Sequence, residues 1–133
     1  MKNSRTIWTL VLVAGLAIVL YVVSSGDGEP QIVDVEVPAF TTIAEEGAAL
    51  FDESCAQCHG MNAAGTEEGP PLVHAIYRPS HHADEAFWLA VTRGVTAHHW
   101  QFGNMPPQPE IGDDEIQRIV QYVRELQIAN GIE

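Results

Sequence analysis

The chain holds two cysteines, and both lie in the stretch "SCAQCHG", residues 54–60. Cys55 and Cys58 stand three positions apart, and His59 follows directly. Three chemistries use a C-x-x-C pair. A redox dithiol sets it in a βαβ pattern, a zinc site uses it as half of a four-ligand set, and C-x-x-C-H is the signal for covalent attachment of haem. No βαβ alternation surrounds the pair, and there is no third cysteine to extend a zinc set. The histidine decides for haem, with Cys55 and Cys58 forming the thioethers and His59 offering a ring nitrogen to the iron. On a helix, positions i, i+3 and i+4 point to one face. One flat macrocycle, held at two edges and ligated from beneath, requires that arrangement.

A second axial ligand has to come from the opposite side of such a ring. Of the three methionines, Met1 precedes a long apolar run and Met61 is too close to His59 to reach round. Met105 lies 46 residues beyond His59, in a loop stiffened by Pro106 and Pro107. Met105 is therefore the expected distal ligand, and a histidine from the 74–99 region is the alternative. His/Met ligation raises the reduction potential relative to bis-histidine and leaves no open position, which favours electron transfer over oxygen chemistry.

Five further histidines, His74, His81, His82, His98 and His99, fall within 26 residues, four of them in two H-H pairs. One reading makes them surface or haem-propionate contacts that tune docking. The other makes them a second metal site for copper or zinc, because imidazole is the commonest ligand for such ions. A single site built from both pairs meets a geometric objection. The pairs flank a predicted helix at 84–94, about 16 Å long, so the 95–104 loop would have to double back. A site is then expected to use one pair, or one member of each, together with His74. Trp88 and Trp100 are expected to be core or haem-pocket aromatics rather than electron relays.

The elements that position these residues follow from periodicity. A helix is predicted from Ile43 through "IAEEGAALFDESCAQCHG", with Thr42 and Glu45 as a capping box and Gly60 as its end. Residues 60–83 read as loop. "DEAFWLAVTRG", 84–94, and "DDEIQRIVQYVRELQ", 113–127, read as helices with acids at their starts, the second with a clear apolar face. Residues 95–112 read as irregular. Ahead of the domain, 24–42 reads as a tether, in which Val33, Val35 and Val37 alternate with acids in a short strand-like pattern limited by Pro30 and Pro38.

With C-x-x-C-H near the front of the domain, a methionine well downstream and a final amphipathic helix, residues 43–129 resemble the class I c-type cytochromes. Gly69-Pro70-Pro71-Leu72 is similar to that family's G-P-x-L segment. The resemblance implies that the Pro70 carbonyl accepts the ring N–H of His59 and so orients it. It further implies that Gly47 and Phe51 on the first helix cross the last helix near Tyr122, and that "GNMPP", 103–107, is the distal methionine loop. The fold so implied is all-α, a helical domain around one covalent haem c, occupying 43–133.

All 18 acidic residues follow position 23, against four arginines and no lysine there, a net charge of −14 beyond that point. Such a surface excludes nucleic acid as a partner and favours a redox protein with a basic docking face. Residues 7–23 carry no charge and reach about 26 Å as a helix, enough for one transmembrane span. Residues 1–6, with Lys2 and Arg5, are expected to stay cytoplasmic and the haem domain to lie on the periplasmic side of a bacterial membrane. A cleaved signal peptide is the alternative to an anchor. The resulting expectation is a monohaem electron carrier rather than an enzyme. The alternatives are a copper-handling haem and histidine protein, a subunit of a larger respiratory complex, or a haem sensor or peroxidase with a displaceable distal ligand.

Overall fold

A computed structural model of the chain describes residues 32–133, with Gly15 alone before them. The expected apolar span at 7–23 and the start of the tether lie outside the described residues. Among the described residues, no helix is long and apolar enough to cross a membrane.

Four helices carry the domain. Helix α1, Thr42–Ser54, is capped by Thr41, whose hydroxyl accepts from the Ala44 N–H at 3.3 Å. The predicted box on Thr42 is thus displaced by one residue, with Thr42 already inside the helix. The uninterrupted helix expected to Gly60 breaks at Cys55, and α2, Ala56–His59, follows. The Cys58 and His59 N–H groups both bond to the Cys55 carbonyl, at 3.1 and 2.9 Å, so the break preserves the i, i+3, i+4 relation of the motif. Helix α3 is Asp84–Arg93, and α4 is Asp113–Ala129, two residues longer than its pattern predicts. At the head of α4 the Glu115 carboxylate accepts from the Gly112 N–H at 2.8 Å, beside Asp113 and Asp114. Two 3₁₀ turns, Met61–Ala63 and Ala75–Tyr77, punctuate the loop that was expected at 60–83.

The core forms where α1 crosses α4. Ala44 and Phe51 pack on Ile119, Tyr122, Val123 and Leu126, all buried. The rings of Phe51 and Tyr122 meet at 5.4 Å and a tilt of 56°, an edge-biased geometry that aromatic quadrupoles favour. At Gly47 the helices touch backbone to backbone, against the Arg118 carbonyl and the Ile119 nitrogen. A second cluster of Val91, Ile116 and Val120 joins α3 to α4. The fold is all-α: among the described residues the only β pairing is an isolated bridge between Val95 and Met105.

The described part of the 24–42 segment lies on the domain. The Val33 N–H bonds to the Ala64 carbonyl at 2.9 Å, and the Asn130 side chain receives the Glu36 N–H and donates to the Glu36 carbonyl. Val33, Val35 and Phe40 pack on the core, while Val37 is exposed, so the three valines do not share one face. Backbone bonding to side chains and a turn replaces the strand that alternation predicted. Thr41 ties this segment to α4 by donating its N–H and its hydroxyl to Glu125, at 3.0 and 2.6 Å.

The Gly47 contact sets a sharp expectation. A methyl group there would collide with the Arg118 carbonyl, and backbone cannot move aside without separating the helices. Gly47→Ala is expected to lower stability by about 3 kcal/mol, read by chemical denaturation of the haem-loaded protein. A variant as stable as the parent would show that the crossing is looser than described.

Candidate functional site

The elements enclose an apolar cavity of about 360 Å³. Phe51 closes it from α1, Val91 from α3, and Ile119 and Val123 from α4. Cys55, His59 and Met105 open onto the same space. Cys58 is exposed and does not line it.

His59 is half-buried. Its Nδ1 lies 2.9 Å from the Pro70 carbonyl, to which it donates, leaving Nε2 with a free lone pair. Burial lowers the affinity of His59 for a proton, although the Pro70 carbonyl acts in the opposite sense. The imidazole is thus held neutral, the form that ligates a metal. Burial, reinforced by the neighbouring Cys58, pushes the Cys55 thiol up to about 11. A thiol held protonated at neutral pH is a poor dithiol reagent, which weighs against the redox reading of C-x-x-C.

Met105 reaches the cavity because the chain turns back on itself. Gly94 ends α3 with φ +75°, a left-handed conformation that costs other residues strain. A Cβ at Gly94 would also stand 2.6 Å from the Met105 carbonyl. Beyond it Val95 and Met105 exchange backbone hydrogen bonds of 2.9 and 3.0 Å. Met61, by contrast, is exposed and outside the cavity.

That same reversal corrects the expectation for the histidines. The 95–104 loop does double back, and both pairs converge. The donor atoms of His81, His82 and His99 lie within 4.8 Å of one another. His98 packs on His99 with ring centroids 4.3 Å apart, but its Nδ1 is engaged by the Thr96 carbonyl at 2.8 Å. His74 stands apart from the group: its Nδ1 accepts from the Ile76 N–H at 3.2 Å, and its ring meets Trp100 edge-on.

The two tryptophans divide. Trp100 lines the cavity and donates from Nε1 to the Tyr77 hydroxyl at 3.0 Å. Trp88 is neither core nor pocket. It is exposed and donates to Asp113 at 2.8 Å, because its position on α3 faces outward while Phe87 and Val91 face in.

Three positioning residues escaped the sequence reading. Gln127, fully buried, donates from Nε2 to the Leu72 carbonyl at 2.8 Å. Arg124 donates to the carbonyls of Tyr77 and His82 at 2.8 and 2.6 Å, pairs with Asp84 at 2.8 Å, and stands over the Phe87 ring. Tyr77 is the acceptor of Trp100 described above. A glutamine on the apolar face of α4 was the available signal, since a polar group in a core position needs partners.

These donors suit haem. A half-buried thiol and a neutral, oriented imidazole open onto an apolar cavity that Met105 also lines. When bound, the group supplies a one-electron couple at iron. The chain's own residues hold it, orient His59, and exclude water through the apolar walls.

An all-helical domain with a C-x-x-C-H turn opening into such a cavity is a haem-attachment domain. Residues 44–127 match the cytochrome c family, and the chain belongs to that family. Over 94 residues it is 30% identical to a cbb3-type cytochrome c oxidase subunit, FixP, of Rhizobium meliloti (strain 1021), a match covering 68% of this chain and 30% of that subunit. The chain thus spans less than a third of that relative's length. No solved structure matches it.

Replacing both Cys55 and Cys58 by alanine is expected to abolish covalent attachment, because no other residue of the chain carries a thiol. Denaturing electrophoresis with haem staining reads this, and haem retained on the variant chain would contradict it.

Proposed function

We propose that this protein is a single-haem electron carrier of the class I kind, with His59 and Met105 as axial ligands. The observation that carries the reading is the convergence of His59 and Met105 on one apolar cavity. A closed pair of axial ligands leaves iron no vacant position, so the group passes single electrons rather than binding oxygen. The carrier is anchored by residues 7–23 on the periplasmic face of a bacterial membrane. Its acidic exterior, with a net charge of −14 beyond residue 23, docks a basic partner at a rate that falls with ionic strength.

The similarity to an oxidase subunit supports a second reading, in which the domain serves inside a larger respiratory complex. Purification in mild detergent separates the two, since a free carrier elutes alone and a complex subunit elutes with its partners.

Met105→Ala is expected to leave haem attached, lower the reduction potential and admit carbon monoxide to the reduced protein. Optical spectra of both redox states, with the methionine-to-iron band present in the parent and lost in the variant, check this. An unchanged spectrum and potential would reassign the distal ligand to a histidine. For the anchor, replacing residues 1–25 by a cleavable export signal is expected to release a haem-loaded soluble domain. Finding the native full-length chain already in the soluble periplasmic fraction would make 7–23 a cleaved signal instead.

A further inference from the structure

We propose that His81, His82 and His99 form a binding site for one divalent transition-metal ion of the imidazole-preferring class, Cu(II) or Zn(II), beside the haem cavity. Axial ligation by His59 and Met105 does not use these rings. His81 and His99 are exposed, His82 is half-buried, and only His82 and His99 reach the cavity lining.

The geometry is that of a converging set rather than a stack. Ring centroids lie 4.6 Å apart for His81 and His82, 5.3 Å for His81 and His99, and 5.2 Å for His82 and His99. Interplanar angles of 87°, 53° and 71° show that no two of the three rings stack face to face. The donor atoms already lie within 4.8 Å of one another. A tetrahedral ion about 2.1 Å from each nitrogen brings donors to about 3.4 Å, a closure that rotation of two exposed rings provides.

The surroundings support ligation. The His82 Nδ1 donates to the Ile76 carbonyl at 2.8 Å, which fixes the tautomer and leaves the lone pair on Nε2. The Arg124 guanidinium holds the His82 carbonyl, and the Arg78 carbonyl receives the N–H groups of both His81 and His82, each at 2.9 Å. The first pair of histidines is therefore set on a fixed backbone. The second pair is placed by the Val95–Met105 bridge and by the Asn104 side chain, which accepts from the Ala97 N–H at 2.9 Å.

Donor chemistry selects the ion. Three imidazole nitrogens without a carboxylate suit copper and zinc and disfavour calcium and magnesium, which take oxygen ligands. Three protein ligands on an exposed face leave one position for water or an exchanging ligand, the pattern of an open rather than a structural site. The strong negative charge of the domain raises the local concentration of cations.

The test uses the haem-loaded full-length chain and Zn(II), which is redox-silent and cannot exchange electrons with the haem. Calorimetric titration is expected to show saturable uptake of one equivalent. His81→Ala combined with His99→Ala is expected to weaken uptake by at least about 100-fold, since loss of even an outer partner of a metal ligand costs 10- to 100-fold. His74→Ala is expected to leave uptake unchanged within about threefold. His81→Ala alone, whose ring lies outside the cavity lining, is expected to weaken uptake by at least about tenfold while leaving the optical spectrum and reduction potential of the metal-free protein equal to the parent's. The helical circular dichroism of the haem-loaded double variant shows that it folds. No saturable uptake by the parent, or parental uptake by the double variant, overturns the site. A shifted haem spectrum or potential in the metal-free His81→Ala variant overturns it too, by assigning that ring to the haem.

Discussion

The structure depends on one close contact, the crossing of α1 over α4 at Gly47. With no side chain there, the helix backbones approach until the Arg118 carbonyl limits them. Phe51, one turn further on, then meets Tyr122, and Phe40 covers the same ring at 5.2 Å. The contact determines more than stability. It sets the angle at which α1 delivers Cys55 and His59, and it brings Ile119 and Val123 of α4 round as the opposite wall of the cavity. Lengthening that contact by one methyl group would move the attachment motif and the cavity wall apart together.

Within the cavity, apolar walls do electrostatic work. Removal of water favours neutral forms, so the Cys55 thiol stays protonated and the His59 imidazole stays neutral. The Pro70 carbonyl then selects which nitrogen of His59 faces the cavity. Two local effects, burial and one hydrogen bond, thus prepare a nitrogen donor. Met105, an uncharged sulfur donor, suits the same surroundings.

Helix α4 has a second role along its polar edge. Arg124, and Gln127 from the apolar face beside it, reach carbonyls of the 72–82 loop, adding to the loop's own turn hydrogen bonds. No buried polar side-chain atom among the described residues lacks a partner, so this edge is fully satisfied. The same helix therefore closes the haem cavity with its apolar face and, through Arg124, holds the backbone at His82.

The attachment motif was legible because its geometry is local. Thioether spacing and the imidazole one position further need only a single helical turn, and the backbone keeps that relation even where the helix breaks at Cys55. The helices read at 84–94 and 113–127, which the structure bounds as Asp84–Arg93 and Asp113–Ala129, were legible from their apolar periodicity and acidic starts, and the membership in the cytochrome c family from Cys55, Cys58, His59 and the segment around Pro70. Periodicity could not show that Trp88 faces solvent, because on a ten-residue helix the apolar stripe is broad and burial depends on what packs against it. Nor could it show that the two histidine pairs meet. They lie on either side of α3, and their convergence rests on a left-handed glycine, a two-bond bridge and an arginine from another helix. The sequence by itself determined the attachment motif, since Cys55, Cys58 and His59 are neighbours along one turn. Tertiary structure alone decided which histidines share a site, because contacts between distant segments are set by backbone reversal and by the packing of side chains that no local pattern encodes.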